Sequence, residues 1–263
     1  MHIRQRLGSL LTAGQRETVK NFFRKTFYPD YGLTLTGRNL SVYSVKNAEL
    51  ARWSADCQQP YGTLMDNFSF PHFLLARSMI RVCNVRSWCD MGTGSATLPF
   101  QAARLGITDV LAIEGSDAAL RAGRVQLPLN NYCVADVCLP LEVIAENGKP
   151  ACFDVVSALE LIEHIPDSKL AGLFDNIRRL EAKYAVFAIG LQPDPPYHVN
   201  LKSMPEWLRE ISSMLSGWVY DEALSEEIFR STRRNRRFIN DYPTNHLPLH
   251  RNLLIFKRQG RQL

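Results

Sequence analysis

The 263-residue sequence lacks long hydrophobic runs, internal repeats and low-complexity tracts. Its longest apolar stretches, such as residues 184–191, have about eight residues, whereas a membrane-spanning helix needs about 20. Residues 1–13 carry Arg4 and Arg6 before a short leucine pair, but no apolar signal region with a cleavage site follows. We therefore expect a soluble, unprocessed protein without a membrane span.

Cysteine and histidine pairs with metal-ligand spacing are also missing. The sequence contains no C-x-x-C and no H-x-x-H. Several of the six cysteines lie in apolar, strand-like segments, where a free thiol behaves as a small hydrophobic side chain. This favours buried, reduced thiols in a cytoplasmic protein over disulfides or zinc, and no metal site is predicted.

Charge is unevenly distributed along the chain. Residues 1–46 hold eight basic and two acidic side chains, residues 47–229 hold 14 and 23, and residues 230–263 hold nine and one. An acidic body with two basic ends therefore underlies the formal net charge of +5.

Short apolar runs alternate with segments of helical period from about residue 87 onward, which predicts parallel strands joined by helices. The predicted strands are residues 87–91, 110–113, 132–135, 154–159, 184–189, 217–221 and 253–257. The predicted helices between them are residues 96–105, 118–125, 168–182 and 205–215. We expect a Rossmann-like α/β fold with about seven strands, mostly parallel, and helices on both faces.

Two domains are predicted. Residues 1–86, with helical period at 14–26 and 71–82, form an N-terminal accessory or lid segment, and residues 87–263 form the core. The last two strands enclose an Arg-rich insertion near residues 226–250 in place of a helix. This arrangement predicts an antiparallel strand that closes the sheet.

A glycine-rich turn is the most informative motif. Asp90-Met91-Gly92-Thr93-Gly94 joins the first core strand to a helix, and its glycines allow the backbone to approach a ligand closely. Glu114 follows the next strand, where a carboxylate can accept hydrogen bonds from both hydroxyls of a ribose. A dinucleotide site is disfavoured because the third glycine position of G-x-G-x-x-G holds Thr97.

Acidic residues also end the next two strands. Asp136 closes the third core strand, and Glu160 closes the fourth, before Glu163 and His164. Ligands bind outside the carboxyl ends of the strands in an open parallel sheet, so these segments should face one crevice.

With these motifs the sequence resembles the class I S-adenosylmethionine-dependent methyltransferases, mainly over residues 86–192. The resemblance implies S-adenosylmethionine as cofactor, with Asp90 beside its methionine moiety, Glu114 on the ribose and Asp136 beside the adenine. It assigns Gly92 and Gly94 to the cofactor turn, and Glu160 is placed in the same site. One departure is Ala96, where the family often has a third glycine.

Candidate acceptor-side residues follow the fourth and fifth core strands. His164, His198 and Glu163 are the candidates for catalysis, since an oxygen acceptor must lose a proton. Prolines stiffen the loop at 193–196 and present Tyr197 and Asn200 near the expected acceptor mouth. The alternative for each histidine is a structural cap.

An Arg-rich segment at residues 229–238 is the remaining candidate site. Arginines at this density can bind phosphate in a bidentate manner, and the alternative is a solvated loop or a partner surface. The candidate phosphate or acceptor contacts there are Arg233, Arg234, Arg236 and Arg237.

These residues predict a methyltransferase that methylates an oxygen of a small molecule, sugar or glycan, which could carry a phosphate. One alternative is an RNA or DNA methyltransferase that holds phosphates with its basic ends. Another is a catalytically silent, methyltransferase-like binding subunit.

Overall fold

The structure is a computed structural model that describes residues 18, 33–35, 37–49, 51, 69–191, 198–233 and 252–260. The chain divides into two compact units, Met1–Thr36 and Gly37–Leu263. Every strand and helix named below lies in the second unit. The helix predicted at 14–26 lies outside the described residues except for Thr18, which is helical.

Nine strands are present in the described part of the chain. They are β1 (Tyr43–Lys46), β2 (Ser87–Met91), β3 (Asp109–Glu114), β4 (Tyr132–Val134), β5 (Glu142–Ala145), β6 (Val155–Leu159), β7 (Tyr184–Ala188), β8 (Trp218–Tyr220) and β9 (Leu253–Arg258). Seven of them form one sheet in the order β4-β3-β2-β6-β7-β9-β8. The five strands from β4 to β7 are parallel, and β9 runs antiparallel to both β7 and β8. The predicted mostly parallel sheet with an antiparallel closing strand is confirmed.

Six α-helices accompany the sheet in the described ranges. They are α1 (Ser69–Cys83), α2 (Thr97–Arg104), α3 (Ala118–Arg121), α4 (Asp167–Arg179), α5 (Met204–Met214) and α6 (Glu222–Arg233). Apolar residues of α4 and α5 form one buried cluster with side chains from alternate positions of the strands, such as Cys89, Met91, Leu111 and Ile113. On the other side, α1 packs against α2 and α6. Such alternation leaves both faces of β2 and β3 apolar, which is typical of a sheet covered by helices on both sides.

The prediction of an insertion in place of a helix after residue 221 is wrong for its first part. Residues 222–233 form α6, whose Leu224 N–H donates to Asp221 at 2.9 Å, so this carboxylate caps the first turn. Ser225, Ile228 and Thr232 are buried, and their spacing of three and four residues places them on one helix face. Because the segment is rich in arginine, this short amphipathic pattern was not predicted to be a helix.

Strands β1 and β5 were not predicted. They pair antiparallel as a separate two-stranded sheet, with Tyr43 opposite Ala145 and Lys46 opposite Glu142. Both strands have only four residues, too few for alternation to stand out from the surrounding loops. The role of residues 1–86 as an accessory or lid segment stays a prediction.

None of the helices within the described ranges is both long enough and apolar enough to span a membrane.

Candidate functional site

The turn between β2 and α2 is a tight backbone loop at the centre of the sheet. Gly92 and Gly94 have φ values of 71° and 57°, in the left-handed region that glycine enters without strain. A Cβ on Gly92 would lie 2.6 Å from a methyl carbon of Leu161, so a larger residue there would have to displace the Leu161 side chain as well as adopt a left-handed φ. Ala96, the residue before α2, also has a left-handed φ of 60°. Glycine at this position would adopt the same conformation without strain.

Asp90 lies next to this turn and is buried. Ser157 on β6 donates its hydroxyl hydrogen bond to the Asp90 carboxylate, and Trp88 donates to Ser157 at 2.8 Å. Burial raises the pKa of Asp90 to about 7, against the hydrogen bond from Ser157, which lowers it. A cation placed beside Asp90 would therefore interact with a poorly solvated carboxylate.

Glu114 ends β3 and is joined directly to the glycine turn. Its two carboxylate oxygens accept the backbone N–H groups of Gly94 at 2.7 Å and Ser116 at 3.0 Å. Each ionised oxygen has a further lone pair, so ribose hydroxyls can still bind there. Tyr132 supports the same turn by donating to the Gly94 carbonyl at 3.0 Å.

Asp136 lies after β4 and is also buried. One of its carboxylate oxygens accepts the N–H of Cys138 at 2.9 Å, which fixes the loop that follows the strand. The structure places Asp90, Glu114 and Asp136 at the carboxyl ends of adjacent strands, as the sequence indicated.

A segment before α1 borders the same edge of the sheet, and it was not predicted. The Ala51 N–H donates to the Gly115 carbonyl at 3.0 Å, and the Asp136 N–H donates to the Glu49 carbonyl at 2.5 Å. Glu49 and Ala51 thereby lie across the ends of β3 and β4. Backbone contacts of this kind leave no residue pattern in the sequence.

The second half of the site is built at the end of β6. Glu160 has a left-handed φ of 51°, an unusual conformation for a residue other than glycine, and a 3₁₀ turn at Ile162–His164 follows. This reversal brings Glu160 and Glu163 together, and Glu163 is fully buried. Burial raises the pKa of Glu160 to about 7, and burial together with the charge of Glu160 raises the pKa of Glu163 well above its ordinary value.

Gly190, after β7, lies next to the carboxylates of Glu160 and Glu163. Its N–H donates to Glu163 Oε1 at 2.6 Å. A Cβ at this position would lie 2.6 Å from Glu163 Oε1, 2.7 Å from His198 Cε1 and 3.1 Å from Glu160 Oε2. Gly190 was not predicted as a site residue, although a glycine directly after a buried strand signals a close approach.

His198 joins the cluster from the loop after β7. Its ring lies edge-on to that of His164, with the ring centroids 4.6 Å apart. One ligand atom each from Glu163, His164 and His198 lie within 4.8 Å of one another. The three candidates for catalysis are therefore neighbours, although 34 positions separate the two histidines in sequence.

Asn200 has a bracing role in this arrangement. Its backbone N–H donates to the Glu163 carbonyl at 3.0 Å, and its side-chain nitrogen donates to the Ile165 carbonyl at 3.1 Å and to Asp167 at 2.7 Å. These bonds tie the loop of His198 to the turn after β6. Whether Asn200 also contacts an acceptor stays a prediction.

The Arg-rich segment is only partly covered by the structure. Arg233 is the last residue of α6, and Arg234, Arg236 and Arg237 lie outside the described residues, as does Tyr197. Their roles in binding an acceptor or phosphate stay predictions.

Known proteins similar to this chain share part of its sequence or its fold. No known family model matches it. The ubiquinone biosynthesis O-methyltransferase of Neisseria meningitidis serogroup C is 38% identical over 81 residues, which cover 30% of this chain and 33% of that protein. The protein of the same name from Idiomarina loihiensis is 31% identical over 150 residues, or 57% of this chain and 54% of that protein. The chain thus matches about a third to about a half of the length of these curated relatives.

Among solved structures, the plantazolicin methyltransferase BpumL in complex with SAH is similar at a TM-score of 0.48 and 15% identity, covering 79% of this chain and 92% of that chain. The sequence relatives confirm the resemblance to the class I S-adenosylmethionine-dependent methyltransferases.

Proposed function

We propose that this chain binds S-adenosylmethionine at the carboxyl ends of β2, β3 and β4 and transfers its methyl group to an oxygen of an acceptor. The observation that carries the proposal is the joined set of Asp90, the Gly92–Gly94 turn and Glu114. The N–H of Gly94 donates to Glu114, so the glycine turn and the ribose-binding acid form one unit.

The charge and shape of this unit fit the cofactor. S-adenosylmethionine carries a positive sulfonium and a positive amino group, and the buried Asp90 offers a poorly solvated carboxylate for them. Glu114 keeps lone pairs for the two ribose hydroxyls. Gly92 and Gly94 adopt left-handed backbone conformations without strain, which forms the tight turn that the methionine moiety would approach.

When bound, the cofactor would supply a methyl group: the acceptor oxygen would form a bond to the methyl carbon as the carbon–sulfur bond breaks with its electron pair on sulfur, which becomes a thioether, and the acceptor would lose its proton. The chain contributes alignment of the acceptor and a place for that proton. Glu160, Glu163, His164 and His198 all belong to the segments after β6 and β7, next to the cofactor turn at β2. Acceptor binding is thus assigned to these two segments.

An oxygen acceptor is favoured because the curated relatives are named O-methyltransferases. We propose a small molecule, sugar or glycan with an apolar portion. Val199 and Leu201, on either side of Asn200, have 60% and 45% of their surface exposed and offer an apolar rim beside His198.

Calorimetric titration with S-adenosylmethionine and S-adenosylhomocysteine tests the cofactor assignment. We expect one site per chain, and Asp90→Ala or Glu114→Ala should weaken binding about 10- to 100-fold, because each removes a charge-assisted hydrogen bond of about 1.5–3 kcal/mol. Asp109→Asn, at the opposite end of β3, is the matched control and should bind normally. A folded wild-type protein that binds neither ligand would refute the proposal.

Formation of S-adenosylhomocysteine with a panel of hydroxylated acceptors then tests the activity. Phenols, sugars and apolar alcohols should be compared with amines and RNA oligonucleotides of equal concentration. Methylation of amines or RNA alone would contradict the proposed oxygen of a small acceptor.

A further inference from the structure

A chain of two hydrogen bonds leads to Asp90 from within the sheet. Trp88 and Asp90 are alternate residues of β2, and Ser157 is the residue of β6 that pairs with Asp90 in the parallel register. The indole N–H of Trp88 donates to Ser157 Oγ at 2.8 Å, and the Ser157 hydroxyl donates to Asp90 Oδ1. Trp88 and Ser157 are fully buried and Asp90 nearly so, which places both bonds in the interior of the protein.

The chemistry of the three groups fixes the direction of both bonds. An indole N–H can only donate, so the Ser157 oxygen is the acceptor of the first bond. A serine hydroxyl carries one hydrogen and an ionised carboxylate can only accept, so that hydrogen is directed to Asp90. Turning it elsewhere would break a hydrogen bond to a charged group in the interior, where lost hydrogen bonds are costly. Asp90 is therefore presented with a donor.

Asp90 needs this donor because its surroundings oppose its negative charge. Burial raises the pKa of Asp90 to about 7, the hydrogen bond from Ser157 lowers it, and the charge of Glu114 raises it. A hydrogen bond to an ionised group is about twice as strong as one between neutral groups, and each bond of a chain polarises the next. Ser157 thus favours the ionised form of Asp90 over the protonated form.

We infer that Trp88 and Ser157 are positioning residues for cofactor binding: the Trp88 N–H directs the Ser157 hydroxyl to Asp90, and Ser157 holds the Asp90 carboxylate ionised and oriented for the ammonium group of the cofactor. This inference rests on the proposed function. Each carboxylate oxygen has more than one lone pair, so Asp90 can accept from Ser157 and from the ammonium group at the same time.

Other groups near Asp90 set the background for a test by pH. Glu114 lies at the end of the neighbouring strand, and α2, which packs against β2, has one charged side chain, Arg104, in its last turn. Burial raises the pKa of the Cys89 thiol well above its ordinary value, so this neighbour stays neutral. Glu160, at the end of β6, has a pKa of about 7 and titrates in the same range. Comparing each variant with the wild type at the same pH removes these shared contributions.

Calorimetric titration of the full chain with S-adenosylhomocysteine at pH 6 and pH 8.5 tests the inference. Ser157→Ala removes the donor and should raise the pKa of Asp90 by about 1–2. At pH 6 binding must expel a proton from Asp90, so the affinity should fall about 10- to 100-fold below the wild type. At pH 8.5 little of that proton remains, and the loss should be less than about 5-fold. The amino group of the ligand titrates alike for every variant.

Ser225→Ala is the matched control. Ser225 is also a buried serine with two hydrogen bonds, one donated to the Asp221 carbonyl at 2.7 Å and one accepted from the Ile255 N–H at 3.0 Å. This variant should bind as the wild type does at both pH values. Trp88→Phe removes only the first donor and should change the pH dependence in the same direction as Ser157→Ala, but less.

The double variant Trp88→Phe/Ser157→Ala guards against a folding defect. Ser157→Ala alone leaves the buried indole N–H without its acceptor, and the second substitution removes that donor. The double variant should show the same pH-dependent loss of affinity as Ser157→Ala.

Urea unfolding without ligand gives a second measurement. Ser157→Ala raises the pKa of Asp90 only in the folded state, so its urea midpoint should fall further below the wild type at pH 8.5 than at pH 5. Losses of affinity and of stability that are equal at both pH values would overturn the inference and leave Ser157 a packing role. A wild type that binds neither S-adenosylmethionine nor S-adenosylhomocysteine would refute the proposed function and the cofactor part of the inference, while the urea comparison would still decide the hydrogen-bond part.

Discussion

Asp90 combines a burial that destabilises its charge with a position beside the turn at which we propose that the cofactor binds. Burial raises the pKa of its carboxyl from an ordinary 3.8 to about 7, so ionising this group in the folded state costs free energy. Ionised Asp90 therefore lowers the free energy of unfolding of the ligand-free protein. Functional groups often carry such a penalty.

Replacing Asp90 with Asn should separate the two effects. The shift from 3.8 to about 7 corresponds to at most about 4 kcal/mol, part of which the altered Ser157 hydrogen bond offsets. Because the folded state binds this proton more tightly than the unfolded state, wild-type stability falls as pH rises from about 4 to about 7. We expect D90N to exceed the wild type by about 1–3 kcal/mol at pH 8 and to match it near pH 4.

Urea unfolding at the two pH values measures this difference, and D109N serves as the control at the other end of the sheet. A gap between D90N and wild type that is equal at both pH values would mean that the Asp90 charge is not its cause.

Single residues also show what a sequence can and cannot reveal about a site. The Asp90 to Glu114 set was predictable because a left-handed turn demands glycine and a ribose site demands an acid at fixed spacing. The approach of His198 to Glu163 was not, because it depends on the path of a loop and on backbone bonds from Asn200 and Gly190. Such contacts arise from tertiary structure and leave only isolated residues in the sequence.

At the scale of elements, α6 shows how composition can conceal a helix. Its buried Ile228 faces the molecule while its exposed positions carry charge, including an Arg230–Glu226 ion pair one turn apart. Tertiary burial of a narrow apolar stripe, rather than local composition, fixes this element.

Ile228→Ala tests that helix. It removes a fully buried side chain and should destabilise the protein by about 2–4 kcal/mol. Glu227→Ala, an exposed neighbour in the same helix, should change stability by less than about 0.5 kcal/mol. Thermal unfolding measures both, and equal effects would contradict the burial of Ile228.

The turn between β2 and α2 contains a residue whose backbone conformation is strained. Ala96 has a φ of 60° and is fully buried, whereas glycine would adopt this conformation without steric strain. Ala96 lies directly before the first residue of α2 and next to the glycine turn. Strained backbone next to functional sites is common, since the surrounding structure holds it in place.

At the scale of the whole molecule, cofactor binding should be visible as stability. A ligand that binds only the folded state at 100 times its dissociation constant adds about 2.7 kcal/mol. For a protein of this size we expect a rise in Tm of about 5–10 °C with S-adenosylhomocysteine. The D90N variant at the same ligand concentration should show a much smaller rise, and an equal rise would place the ligand elsewhere.

Only part of the strand arrangement in the sheet can be predicted from the sequence. Alternation of apolar runs and helices predicts a parallel sheet, and the chain confirms it from β4 to β7. The pairing of β1 with β5 was missed because short strands without a buried alternation carry no register information. The net charges of the two basic ends and of the acidic residues 47–229, by contrast, affect solubility and the association with ligands. They do not determine the fold.

The position of β9 has a consequence for how the protein is made. In the described part of the chain, β9 separates β7 from β8, so residues 253–258 supply the partner of β8 and the second partner of β7, whose first partner is β6. While a ribosome is still adding these residues, the edge of β7 is open and β8 has no neighbour. A nascent chain halted after residue 233 would therefore expose an unpaired strand edge, the kind of surface to which chaperones bind and through which chains aggregate.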